Sequence, residues 1–255
     1  MIKPLIFHFL LSLSAATAAF SWIADPKLTG AGFIRLITGH GAIFFALFCI
    51  GVFLDAGWHL LPVMLMELVL LLCFIAQWRL HPDGKTPAMW ALFVVQIILT
   101  AAFFKLESRN GEIDNFLFIL SSGLFLGITH YAMLLGHYYL VVPKLTEKPL
   151  LVSMKILWAF MGIKLVWSLI NTMNASHFLV EQTTAGDGYI FNWITISMRW
   201  LWGYGAMAIL SYFAWRLCRM RSIQSATGVL YIMVFFVFIG ELLSAYLFFK
   251  HGLKI

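Results

Sequence analysis

Eight times along this chain a run of about twenty apolar residues ends at a charge or a proline. The runs cover roughly 4–24, 33–54, 59–79, 87–105, 115–143, 150–172, 190–217 and 225–249, each near the length that crosses a bilayer as an α-helix. Strands of a membrane barrel alternate over about ten residues, so a barrel is excluded. All seven prolines (Pro4, Pro26, Pro62, Pro82, Pro87, Pro143, Pro149) fall at or near run ends, where the missing N–H and the ring do no harm. The stretches Asp55–His59 and His81–Lys85 read as tight turns. The only longer connection runs from about Met173 to Tyr189. The expectation is an all-α, polytopic membrane helical bundle, with about eight transmembrane helices and short loops, forming one transmembrane domain over 1–255.

Composition narrows the function classes. Of the 255 residues, 62% are apolar and 11% charged, against about 45–50% and roughly 25% in soluble domains. A soluble enzyme, a disordered chain and a nucleic-acid module are excluded. The net charge of +6 does not point to a nucleic acid, because the basic residues sit in short loops, as orientation in a membrane requires. Membrane lipids are the expected surroundings. Cys49, Cys73 and Cys218 form no CxxC, no CxxCH and no zinc spacing, so they read as packing residues.

Loop charges set the orientation. With both termini outside, the inside holds Lys27, Arg35, Arg79, Lys85, Lys144, Lys148, Arg216, Arg219 and Arg221, with Lys155 close to that surface. The outside holds Lys3, Lys105, Arg109, Lys250 and Lys254. The excess favours eight retained helices by the positive-inside rule. The alternative is a cleaved signal peptide, since Lys3, Leu5–Leu13 and Ala16-Thr-Ala18 have that pattern. Trp22, Trp58, Trp78, Trp90 and Trp215 fall near run ends, as interfacial belts require, while Trp167 and Trp202 lie deeper and pack between helices.

Charges inside a span are costly and mark candidate sites. They are Glu67, Lys164, Arg199 and Glu241. From a rise of about 1.5 Å per residue, all four lie about 10–13 Å from the outer ends of their helices, in one layer. Their formal charges cancel. Two ion pairs, Arg199–Glu241 and Lys164–Glu67, would lock helix positions; a polar cavity handling protons or an ionic or quinone-like ligand is the functional alternative. Lys164, Ser168 and Asn171 follow one helix face, and Ser244 stands three residues after Glu241, which favours the cavity.

Among eight histidines, His8, His81, His177 and His251 lie near termini or loops and read as surface residues; His40, His59, His130 and His137 remain. His130 and His137 are seven apart, hence on one helix face. Gly123 and Gly127 continue that face and also form a helix-packing GxxxG. His40 and His137 come out at comparable inner depth, and Gly39, Gly41 and Gly136 would let a porphyrin edge approach. As structural residues each bonds a nearby carbonyl or hydroxyl; in the functional alternative they are the candidate axial pair, and so the candidate metal ligands, of a haem b. His130, with no histidine at its level, suits a hydrogen-bond donor at the same cofactor. A catalytic zinc site needs at least three converging ligands, and none can be assembled.

The eight-helix layout with short loops and an outer polar layer resembles the quinol-interacting membrane subunits of the NrfD/PsrC type, in architecture alone. The resemblance implies an integral-membrane subunit of a redox complex in a bacterial inner membrane. Such a subunit would bind quinol, with or without haem b, and pass electrons or protons to other subunits. The alternatives are a non-catalytic assembly or scaffold subunit and a small secondary transporter. Inverted repeats and Gly/Pro-broken helices, common in transporters, are not evident.

Overall fold

The computed structural model describes residues 2–24, 29, 32–55, 61–81, 86–108, 112–142, 145–181, 183 and 185–255. Every regular element among them is helical. Seven helices are long and apolar enough to cross a membrane: α1 (Ile2–Ile23), α2 (Gly32–Leu54), α3 (Leu61–Leu80), α4 (Pro87–Glu107), α5 (Ile113–Val141), α6 (Lys148–Asn174) and α8 (Ile223–His251). Between the last two runs α7, residues 189–219, a continuous helix of comparable length. Its polar content, with Arg199, Asn192 and several Trp and Tyr residues, makes it less apolar than the others. The chain is thus an integral, multi-pass membrane protein.

Successive helices alternate in direction, and ion pairs tie the loops on each face. Lys3–Asp55 (2.9 Å), Lys254–Asp114 and Lys250–Asp187 lie on the face holding the start of α1. Arg221–Glu147 (3.5 Å) lies on the opposite face. The seven described basic residues assigned to the inside belong to this second face; Lys27, Lys85, Lys144 and Arg109 lie outside the described residues, as do Trp58 and His59.

The centre of the bundle is α1 against α5. In their most apolar windows 78% of α1 and 72% of α5 are buried, against 28% of α3 and of α6; the latter present most of their surface to lipid. Small residues make this contact possible. Ser12, Ser14, Ala15, Ala16, Thr17, Ala18 and Ala19 are all buried. A Cβ on Gly127 would lie 2.7 Å from the Ala16 carbonyl carbon. One half of the GxxxG motif therefore serves backbone-to-backbone packing, while Gly123 accommodates the Phe104 ring.

Two helices widen locally into π geometry, α1 at Ser12–Ala16 and α7 at Arg199–Ala206. A π turn disturbs the regular i→i−4 ladder. In α1, hydroxyls bond nearby carbonyls: Ser12 Oγ to His8 O at 2.6 Å and Thr17 Oγ1 to Ser12 O at 2.9 Å. In α7 the widening coincides with Gly203, Gly205 and the buried Arg199. Nothing in the sequence periodicity announces either.

Helix ends follow local chemistry. The Thr86 hydroxyl accepts from Met89 N and Pro87 occupies the first turn of α4. Gly252, at φ 72°, closes α8, with Leu253 N donating to Leu247 O at 3.1 Å. The chain then folds back, so that Ser244 Oγ donates to Ile255 O at 2.5 Å and Ile255 is fully buried. The α6–α7 connection is ordered by Asn192, whose amide donates to Phe178 O and Ala185 O and whose oxygen accepts from Asp187 N.

Candidate functional site

The intramembrane charges converge, but as three rather than four. Glu241 of α8 accepts from Lys164 Nζ of α6 at 2.7 Å and from Arg199 Nη1 of α7 at 3.0 Å. Ser122 of α5 donates to the same carboxylate. All three charged side chains are 0–1% exposed. The expected Arg199–Glu241 pair is present. The expected Lys164–Glu67 pair is not: Lys164 shares Glu241 with Arg199. Glu67 lies on α3, beside Cys49 and packed with α2 and α4, and its buried Oε1 has no partner among the described residues. Depth along a helix does not say which helices touch. With Glu67 absent, the cluster carries two formal positive charges against one negative.

Tyr204 supplies a neutral hydrogen-bond acceptor where a second carboxylate was expected. Its hydroxyl accepts from Arg199 Nη2 at 2.7 Å, lies 2.5 Å from Ser168 Oγ and donates to Lys164 O at 3.2 Å. The Arg199 guanidinium stands 4.3 Å from the Tyr204 ring centre, and Lys164 Nζ 4.9 Å from that of Phe118; ring faces of this kind attract cations. Tyr204 was not legible as a site residue, although its position five residues after Arg199 is the kind of spacing a π turn brings into register. Of the polar neighbours expected to extend the cluster, Ser168 joins it. Asn171 bonds Trp167 O on its own helix, and Ser244 is taken by Ile255. Arg199 Nε remains without a partner.

The histidines form a second group nearer the opposite face. His40 Nε2 of α2 lies 3.0 Å from His130 Nε2 of α5. One ring must donate its N–H to the lone pair of the other. This corrects two expectations: His130 does have a histidine at its level, and it is His130, not His137, that His40 meets. His137 instead bonds Tyr231 of α8 through Nδ1 at 2.7 Å. His40 and His137 do share one feature. Both line a groove of about 620 Å³ between α2 and α5, together with Arg35, Gly39, Trp78 and Tyr138. Arg35 lies over the Trp78 indole at 4.7 Å. A Cβ on Gly39 would meet nothing within 4 Å, so this glycine leaves the groove open; Gly41 and Gly136 are occupied by Phe74 and by Leu230 and Thr227.

His8 also departs from its reading as a surface residue. It is fully buried inside the bundle and bonds Glu107 Oε2 of α4 at 3.1 Å. His251 is likewise engaged, at 2.9 Å from Asp187. Among the described residues no group of three or more His, Cys, Asp or Glu side chains is placed to hold a metal ion.

These features define a helical membrane protein with a sealed charge cluster near one face and a histidine-lined groove open to lipid near the other. Comparison with protein-family models, with curated proteins and with solved structures finds no match.

Proposed function

We propose that this chain is a membrane subunit of a redox complex, in a bacterial inner membrane, that binds a quinol in the α2–α5 groove. The observation that carries the reading is the groove itself, with two imidazoles, a guanidinium and an indole on one laterally open surface. A quinol reaches its site from within the bilayer, and its headgroup needs a few polar groups in an otherwise apolar cleft. One hydroxyl would donate to His137 Nε2, the nitrogen its Tyr231 bond leaves open, and the ring would pack beside Trp78; His40 would join by releasing His130. Oxidation releases two electrons and two protons. The protons leave through groups hydrogen-bonded to the headgroup, and the electrons pass to a redox centre on a partner subunit.

A haem b in the same groove is a second reading, favoured by the fact that both expected ligands line it. The Tyr231 bond to His137 Nδ1 leaves Nε2 of that ring for iron, and bonding of this kind commonly orients a ligating histidine. His40 would have to turn its Nε2 away from His130.

The test is decylubiquinone binding to the protein in nanodiscs, read by quenching of tryptophan fluorescence, with Trp78→Phe as the control for the reporter. Gly39→Leu fills the groove without a clash and should weaken binding by about tenfold or more, as should His137→Leu. Saturable binding unaffected by either change removes the groove from the proposal. No binding at all leaves an assembly subunit whose charge cluster locks its helices. A reduced α-band in the visible spectrum, lost in His40→Leu and His137→Leu, would establish the haem.

A further inference from the structure

At the face opposite the quinol groove, a second and more enclosed cavity of about 250 Å³ lies among α1, α2, α4 and α8. Its walls include Phe7, Phe48, Phe103 and Phe249. Phe48 meets the rings of Phe7 and Phe103 edge-on, each at 5.7 Å. Three charged residues join them: Lys3, Asp55 and Glu107. Lys3 Nζ and Asp55 Oδ1 pair at 2.9 Å, which neutralises one carboxylate.

Glu107 is different. Its side chain is 7% exposed, and His8, fully buried behind it, holds Oε2 at 3.1 Å. Its Oε1 is buried and has no partner among the described residues. A buried carboxylate oxygen without a donor is costly. The Nδ1–H of His8 satisfies one oxygen and leaves the other as it is. The lining therefore offers a carboxylate acceptor and an excess of negative formal charge, two carboxylates against one ammonium. Phenyl faces, whose quadrupoles also attract cations, surround it.

We propose that this cavity binds the ammonium group of a small primary alkylamine, its N–H donating to Glu107 Oε1 and its alkyl part lying against the phenyl rings. A divalent metal ion would require six or more oxygen ligands, where the lining has two carboxylates and hydrocarbon. A quaternary ammonium would satisfy the rings but bring no donor to Oε1. The volume falls just below that of pockets for drug-sized ligands, which limits the guest to a few carbon atoms. Because the cavity lies at a membrane face, the amine could come from solution or from the ethanolamine headgroup of a lipid; the chemistry at Glu107 is the same.

The experiment is calorimetric titration of the full chain, in nanodiscs of phosphatidylglycerol alone, with n-butylammonium chloride and with 1-butanol as the neutral control of equal length. The ammonium should bind saturably and about tenfold more tightly than the alcohol. Glu107→Gln should abolish that preference, and Phe103→Leu, which keeps the wall apolar, should weaken it. Lys3→Met is a surface change that frees Asp55 and removes the competing cation, so it should tighten binding; this variant serves even if Glu107→Gln fails to fold. Nanodiscs containing phosphatidylethanolamine distinguish the sources: suppressed butylammonium binding identifies the lipid headgroup as the occupant, and unchanged binding identifies a free amine. Equal binding of the alcohol, or ammonium binding indifferent to the Lys3, Phe103 and Glu107 changes, overturns the proposal. So does failure of butylammonium to bind in phosphatidylglycerol discs.

Discussion

A Cβ built on Gly240 of α8 would lie 2.5 Å from the Cα of Gly203 on α7. The two helices therefore cross backbone on backbone, and the contact sits directly over Arg199, whose Nη1 would be 2.7 Å from a Cβ on Gly203. This close approach lets a guanidinium on one helix reach a carboxylate on the next without a water between them. Gly240→Ala should push α8 from α7 and cost about 1–3 kcal/mol, the usual price of overpacking. Thermal unfolding in nanodiscs measures it, and an unchanged midpoint would mean that the crossing is looser than described.

Within the charge cluster, the three single changes should rank in order. Glu241→Gln leaves two buried cations without a counter-charge and should be the most damaging, at about 3–5 kcal/mol for a broken buried pair. Lys164→Met leaves Arg199 and Glu241 one to one and should be the mildest. Combining Glu241→Gln with Arg199→Met should restore only part of the loss, because Lys164 stays buried and unpaired. Full recovery requires Lys164→Met as well. Full rescue by the double change alone would contradict the shared carboxylate.

Asp187 carries the pH dependence outside the membrane spans. Its slight burial favours the neutral form, but hydrogen bonds from Lys250, Tyr246 and His251 outweigh this and hold the carboxyl well below the usual carboxylate range. A depressed folded-state value stabilises the fold above the unfolded-state value of about 3.9, and that contribution disappears as pH falls further, through the folded value. Wild type should therefore exceed Asp187→Asn in thermal stability at neutral pH. The gap should close only as the pH drops below about 4. A gap that stays constant down to strong acid would show that the charge of Asp187 contributes nothing.

The orientation has its own test. Reporter fusions placed after Arg221 should read as inside, and fusions within 183–188 as outside, following the basic excess on the second face. The opposite result would invert the bundle while leaving every contact described above in place.

The sequence exposed what runs along a helix and concealed what runs between helices. Hydropathy and prolines marked all eight helices because a bilayer imposes one length on each. Arg199 and Glu241 could be paired because equal depth was combined with a short link, and sequential helices joined by a short link are usually neighbours. Lys164 and Glu67 share an expected depth but no such link, and Lys164 pairs with Glu241 instead. The same limit hid His130 from His40. Its level was counted from an assumed helix end on α5, while its partner stands on a helix far away in sequence. His8 was read as peripheral because it lies near the terminus, yet the run of Ser and Ala after it is what draws α1 into the centre. That run carried the signal in plain view: a helix lined with small residues is built for close neighbours rather than for lipid.

The carboxylate shared by Lys164 and Arg199 belongs to α8, which follows both cation-bearing helices in the chain. Until Glu241 arrives, α6 and α7 are in the bilayer with two cations and no counter-charge, a condition that disfavours stable residence in hydrocarbon. Relief from that condition comes when α8 docks across α7 and α5 and brings one carboxylate to the two cations. Assembly of the cluster therefore depends on α8: a chain interrupted before Glu241 keeps Lys164 and Arg199 in the span without a counter-charge.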